Sequence, residues 1–304
     1  MPSPDRLKNN NRRRKGVQLL ALAAGNAWLP GFFRGTIYQG PLKQICLPGL
    51  NCYSCPGALG ACPLGSLQNA IADPIQQISF YVLGFLVLTG GLLGRFVCGW
   101  LCPFGLFQEL LHKIPLRKWR PERKLPLARQ LSYSKYIFFG VFIVLIPWLV
   151  RLSAGYGEPA FCKYICPSGT LMAGLPLLAA NSQLRQLVGW LFGWKFLLLV
   201  LTVYLSIRIY RPFCKYVCPL GAFYGLFNRV SLYRVTVDAS RCNSCGQCTR
   251  VCPMNVPVPQ DANSPECIRC GKCAAVCPQD AIRCGIRRSG EVNAPLTGIY
   301  RRKP

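Results

Sequence analysis

Histidine is almost missing from this 304-residue chain, which has one, His112. A haem held by two of the chain's own histidines is therefore excluded, and no C-x-x-C-H haem-attachment run occurs. Acidic residues are scarce as well, 10 against 36 lysines and arginines. A paired-carboxylate active site has little to draw on. Neither G-x-G-x-x-G nor G-x4-G-K-S/T is present, so nothing points to a nucleotide fold, a kinase or a hydrolase. The formal charge is +26, yet no soluble basic stripe interleaved with stacking aromatics stands out. Nucleic acid is therefore not an expected partner.

Cysteine and apolar runs are what the chain has in quantity. It carries 19 cysteines and is 51% hydrophobic. Apolar residues gather at 17–33, 75–94, 136–152 and 188–209. A membrane-spanning helix wants about 20 such residues, with 17 near the lower limit. The expected fold class is a membrane protein, mainly α, with about four transmembrane helices. The first and third segments are short, and Asn26, Pro30 and Pro147 interrupt them. A buried core helix is the competing reading for those two. The basic region and small residues of 1–28 also fit a cleaved signal peptide. The apolar run continues to Phe33, which favours an uncleaved anchor.

Loop charges orient the set. Residues 1–16 carry Arg6, Lys8, Arg12, Arg13, Arg14 and Lys15, and the 95–135 loop carries nine more basic residues. The 35–74 loop has only Lys43, and the 153–187 loop only Lys163 and Arg185. By the positive-inside rule both termini face the cytoplasm of a multi-pass inner-membrane protein. The basic inner face could dock an acidic partner, although topology and anionic lipid explain it equally well.

The last third repeats one cysteine pattern. Cys242, Cys245, Cys248 and Cys252-Pro253 form a C-x2-C-x2-C-x3-C-P run, and Cys267, Cys270, Cys273 and Cys277-Pro278 form a second. Three thiolates on one tight loop cap three irons of a cube, and the fourth cysteine of each run serves the other cluster. The spacing predicts one 4Fe–4S cluster on Cys242, Cys245, Cys248 and Cys277. It predicts a second on Cys267, Cys270, Cys273 and Cys252. A zinc ribbon would show two separated C-x2-C knuckles instead. A small α+β ferredoxin domain of the bacterial two-cluster type is thus expected at 231–285. It would follow a basic tail at 1–16 and a membrane domain at 17–230, and precede a basic tail at 286–304.

Three further pairs are C-x3-C-P with glycine two residues on: Cys98/Cys102, Cys162/Cys166 and Cys214/Cys218. In a helix, both thiols of each pair face one way. Cys98, Cys102, Cys214 and Cys218 fall on the expected inner side and could make a third four-thiolate site. Cys162 and Cys166 fall on the outer side with Cys46, Cys52, Cys55 and Cys62. An outer site from Cys52, Cys55, Cys62, Cys162 and Cys166 is one reading, and disulfides in an oxidising compartment are another. Cys284 fits no pattern and reads as free.

The CGWLCPFG run at 98–105, the CKYVCPLGAF run at 214–223, four apolar segments and the double ferredoxin run resemble the NapH-like membrane ferredoxins. This group also includes the polyferredoxin part of NosR-type proteins. The resemblance covers about 12–285. It implies an electron-transfer component of a quinol dehydrogenase-type complex rather than a stand-alone enzyme. Such a component would relay electrons between the quinone pool and a partner redox protein through two 4Fe–4S clusters on the eight ferredoxin cysteines, and the other cysteine pairs could hold one or two more. Its partners would be membrane lipid, other redox subunits and quinol. The third C-x3-C-P pair and the Cys52–Cys62 run depart from the usual pattern. A redox sensor or a metalloenzyme-assembly protein is the rival class.

Overall fold

The computed structural model describes residues 4–72, 80–119, 130–155 and 157–286. Helix α1 (Pro4–Gly25) opens the chain. Its first half is strongly basic and polar, and partners from far along the chain hold it. Asn10 donates to the Cys270 carbonyl at 3.0 Å, and Gln18 to the Gly99 carbonyl at 3.1 Å. Arg14 grips both oxygens of Glu109 at 2.7 and 2.6 Å. The chain then turns, with Trp28 N bonded to the Gly57 carbonyl, and a short helix α2 (Pro30–Arg34) follows. The expected crossing at 17–33 is therefore not one helix. A buried arginine needs its carboxylate, and that carboxylate fixes the polar half of α1 against the rest of the protein.

Helices α3 (Pro63–Ala72), α4 (Phe80–Leu93), α5 (Phe96–Trp100) and α6 (Pro103–Leu111) come next. The second expected segment, 75–94, is described over the 14 residues of α4, and 75–79 lie outside the described residues. So do residues 120–129 of the basic loop and most of the 286–304 tail.

Two helices among the described residues are long and apolar enough to cross a membrane: α7 (Leu131–Ala154) and, further on, Trp190–Arg208. The first contains the third expected segment, 136–152, and the second covers 190–208 of the fourth. Pro147 does not break α7. Its ring clashes with the carbonyl one turn back and it offers no N–H, and the helix absorbs this in a wide π-type turn at Phe139–Leu145. The same device precedes Pro176 in α9 (Pro167–Ala180), at Thr170–Gly174. Helix α8 (Ala160–Tyr164) stands before α9, and α10 (Ser182–Gln186) leads to α11 (Trp190–Arg208).

The long helices run antiparallel. Helix α7 starts where Lys135 meets Glu266 and ends where Arg151 reaches the Ile71 carbonyl. Helix α11 starts where Lys195 donates to the Cys162 carbonyl and ends where His112 meets the Ser206 carbonyl. One end of the pair therefore holds the 46–72 and 158–170 segments. The other holds α6 and the C-terminal domain.

Helices α12 (Pro212–Tyr216) and α13 (Pro219–Phe227) lead into that domain. There β1 (Tyr233–Val237) pairs antiparallel with β2 (Ile282–Ile286), Val235 opposite Cys284. Short helices α14 (Gln247–Val251) and α15 (Lys272–Ala275) lie between the strands in sequence. Val235, Met254, Val256, Val258, Ile268 and Ile282 form the buried apolar centre.

Candidate metal centres

The two C-terminal cysteine runs have one backbone conformation. Ser244, Gly246 and Asn255 take positive φ of 53°, 70° and 57°, and Arg269, Gly271 and Asp280, each 25 residues on, take 52°, 75° and 46°. A left-handed residue inside each C-x2-C gap reverses the chain so that successive thiols turn to one point. Cys252, Cys267, Cys270 and Cys273 line one narrow pocket with Met254, Val258 and Ile268. The fourth cysteine of the first run thus lies beside three from the second. In the other set Cys242 lies close enough to act electrostatically on Cys248, and Cys245 is exposed. Burial pushes the Cys248 and Cys252 thiols up to about 11. Such thiols stay neutral unless a metal takes the proton's place. Cys284 is not isolated, since its thiol hydrogen-bonds that of Cys273.

Cys98, Cys102, Cys214 and Cys218 are all buried and mutually close. The structure therefore brings together the two pairs that topology had placed on one side. Each C-P-x-G segment starts a helix, with Cys at the N-cap and Pro in the first turn, where a missing N–H costs nothing. The glycine two residues after Pro then aims its amide at the thiol. Gly221 N lies 3.4 Å from Cys218 Sγ, and the Gly105 amide stands near Cys102 at the matching position. Gln108 adds a side-chain donor, Nε2 to Cys214 Sγ at 3.2 Å. Burial still pushes the Cys102 thiol up to about 12.

Buried ions surround this site. Arg95 and Arg211 donate to the Cys214 and Cys98 carbonyls, and both are fully buried. Arg211 pairs with Glu109 at 2.7 Å, and Arg95 with Glu266 at 3.0 Å. Burial works to raise the Glu109 pKa, but Arg211, Arg14 and the Tyr210 hydroxyl hold it down at about 2. Glu266 is likewise held below the usual range by Arg95 and Lys135 against its burial.

The ferredoxin-type domain is docked against the same site. Gly99 lies inside the Cys98/Cys102 pair, and Ile268 lies inside the Cys267/Cys270 gap. A Cβ on Gly99 would stand 2.1 Å from the Ile268 carbonyl oxygen, so only glycine allows this approach. Trp100 Nε1 donates to the Arg269 carbonyl at 3.0 Å. Arg269 in turn donates to the Leu93 and Asn228 carbonyls, and Asn228 to those of Ser264 and Cys267.

The remaining predicted residues divide. Cys52, Cys62, Cys162 and Cys166 line one cavity of about 400 Å³, whereas Cys55 is buried outside it against Ala58. None of the 19 cysteines is in a disulfide. Among the described residues, no three His, Cys, Asp or Glu groups converge tightly enough to grip one metal ion. Thiolates around a cube of four irons stand farther apart than those around one ion, so the donor sets suit a cluster better than zinc. Sequence reasoning missed Gln108 and Gln68. Their signal is a C-P-x-G-x-x-Q string, written at 62–68 and again at 102–108.

Thiol sets on N-capped helix starts, joined to a doubled C-x2-C-x2-C loop, define an iron–sulfur protein of the polyferredoxin class. Comparison with known proteins agrees. A 4Fe-4S binding domain family matches residues 76–122, 136–180 and 186–235, and a 4Fe-4S dicluster domain matches 234–278. An uncharacterized protein of Methanocaldococcus jannaschii is 32% identical over 224 residues, 73% of this chain and 84% of that one. Ferredoxin-type protein NapH of Haemophilus influenzae is 26% identical, covering 90% of this chain and 83% of its own. The methylamine utilization ferredoxin-type protein MauN of Paracoccus denitrificans is 29% identical, with 65% of this chain matched to 62% of that protein. No solved structure matches. The chain belongs to the NapH-like polyferredoxin family.

Proposed function

We propose that this protein is a multi-pass membrane subunit that relays electrons between the quinone pool and a partner redox protein. One observation carries the reading: the Cys98/Cys102/Cys214/Cys218 set is packed, through Gly99 and Ile268, directly on the Cys252/Cys267/Cys270/Cys273 set. Cys242, Cys245, Cys248 and Cys277 would hold one cluster. Cys252, Cys267, Cys270 and Cys273 would hold a second, and Cys98, Cys102, Cys214 and Cys218 a third. Bound 4Fe–4S clusters supply one-electron carriers whose potential follows charge, burial and hydrogen bonds to sulfur. Arg95, Arg211 and the Gln108 amide place positive charge and a donor at the third set, which favours the reduced state there. Exposed Cys245 marks the face for a soluble partner.

Helix α11 supports the membrane reading. Its 19 residues span about 28 Å at 1.5 Å each, close to the roughly 30 Å hydrocarbon layer. Trp190 and Trp194 stand at one end, and Trp119 stacks with Arg208 at the other. Aromatics at both ends are what an interface favours. Helix α4, which lies within the apolar run 75–94, would add a third crossing. Basic residues in the first half of α1, just after α6 and at the end of α11 support a reading with both termini on the cytoplasmic side.

The quinol end would be the cavity of about 310 Å³ lined by His112, Tyr210, Glu109, Trp119 and several lysines. It lies beside Pro253, next to Cys252. Oxidising a quinol releases protons with electrons. Burial and nearby Lys118 hold His112 below its ordinary pKa, so it is neutral and ready to accept one. The test is anaerobic mixing of the full chain with a short-chain quinol while cluster absorbance is followed. The account expects bleaching, and slowing of at least about tenfold in His112→Ala, since proton acceptors contribute about 10²-fold or more. A redox sensor or assembly factor would show no reduction at catalytic rates.

A further inference from the structure

The cavity at the far end of α11 repeats the third site part by part. Cys62-Pro63-Leu64-Gly65 and Cys102-Pro103-Phe104-Gly105 both start helices, and in both the glycine amide stands near the preceding thiol. Six residues after each cysteine stands a glutamine. Gln68 Nε2 lies 3.2 Å from Cys162 Sγ, and Gln108 Nε2 lies 3.2 Å from Cys214 Sγ. Each glutamine also donates to the carbonyl four residues back, at 3.3 and 3.4 Å. The partner segments, CKYICPSG and CKYVCPLG, agree just as closely. Ile165 and Val217 share φ −120° and ψ −36°, and the Cys166 and Cys218 amides both bond a phenylalanine carbonyl, at 2.9 and 2.8 Å. Cys52 supplies the fourth thiol, where a Cβ on Gly169 would stand 3.8 Å from its Sγ.

We infer that Cys52, Cys62, Cys162 and Cys166 form a fourth 4Fe–4S site, with Gln68 as its sulfur-directed donor and Lys195 as a fixed cation beside it. Two of these ligands, Cys52 and Cys62, lie outside every residue range that the family models match. The cavity of about 400 Å³ has room for the group, and all four cysteines line it. Lys195 donates to the Cys162 carbonyl at 3.1 Å, as Arg95 does to that of Cys214 at 3.0 Å, and it also acts electrostatically on Cys52. Cys55 is left out because it does not line the cavity, and its thiol meets the Gly57 and Ala58 amides instead.

The site connects to the third one. A Cβ on Gly49 would stand 3.0 Å from Cys102 Cα, and Leu50, its neighbour, lines the far cavity. Tyr224, fully buried, donates to the Pro48 carbonyl at 3.1 Å and feels both Cys98 and Cys62. The four sites then form one line from exposed Cys245 to the opposite end of α11. This rests on the reading of the chain as a cluster relay, and it gives that relay an exit on the other face of the membrane.

The test is iron and acid-labile sulfide analysis of the anaerobically purified full chain, with EPR, plus a peptide map under non-reducing conditions. The wild type should hold about sixteen irons, and a Cys62→Ser/Cys166→Ser variant about twelve with its ferredoxin signals unchanged. Cys55→Ser should keep about sixteen. About twelve irons in the wild type, falling in Cys102→Ser but not in Cys62→Ser/Cys166→Ser, would overturn the fourth site and leave the relay standing. About eight irons would overturn the relay itself. Disulfides linking Cys52, Cys62, Cys162 or Cys166 in anaerobic wild-type protein would also overturn the fourth site, whether or not the variant folds.

Discussion

The Gln108 site and the Gln68 site are the same device in two settings. Both use a C-P-x-G helix start, a glutamine donor and a CKY-x-CP pair. The Gln108 site is sealed by Arg95, Arg211, Glu109 and Glu266 and is packed on the ferredoxin-type domain. The Gln68 site borders an open cavity and has Lys195 as its nearest firmly bonded cation. One motif therefore fixes the thiols, and the surrounding charges are free to differ. Positive charge near a cluster favours its reduced form, and at the sealed site each arginine is offset by a glutamate, so the two sites should differ in potential.

The largest effect should come from breaking the seal. Glu109 is 4% exposed and holds Arg14 and Arg211. Glu109→Ala leaves two buried cations unpaired and should cost about 3–5 kcal/mol, read as a lowered unfolding midpoint. Lys195→Ala at the open site should cost much less. The pH dependence follows in sign. An unfolded glutamate titrates near 4.3, and Glu109 folded near 2. Its contribution is present above about pH 4.3 and is lost as pH falls toward 2. Acid stability of Glu109→Gln should lack that component.

Next comes the docking contact. Gly99→Ala would push a methyl into the Ile268 carbonyl and should cost about 1–3 kcal/mol. Proteolysis between 228 and 240 should quicken, while iron content at the Gln68 site is unchanged.

Smaller, and sharper as a comparison, are Gln108→Ala and Gln68→Ala. Each removes one hydrogen bond to sulfur, worth about 1 kcal/mol. Each should lower the potential of its own site alone in a redox titration. Smallest is Arg6→Ala, which breaks the surface pair with Asp280 and should change stability by less than about 1 kcal/mol.

How far the sequence could be read follows from the range of the forces involved. The doubled cysteine run at 242–278 was legible because its spacing is local and the loop geometry repeats every 25 residues. The meeting of Cys98/Cys102 with Cys214/Cys218 was legible because loop charges place both pairs on one face. The break of the 17–33 run after Gly25 was not legible, because hydropathy registers the run and not Glu109, 95 residues beyond Arg14, which holds the helix in place. Gly99 gave no signal either, since its need for a bare Cα comes from Ile268 in another domain. The exclusion of Cys55 depends on a turn direction that C-x2-C spacing does not specify.

The central claim is that a third four-thiolate set stands in contact with the ferredoxin-type clusters. EPR of the fully reduced chain, compared with Cys98→Ser/Cys214→Ser, tests it most directly. The account expects the variant to lose about four irons and one signal, and the remaining ferredoxin spectrum to sharpen as a magnetic neighbour disappears. Equal iron content and an identical spectrum in the two proteins would contradict it.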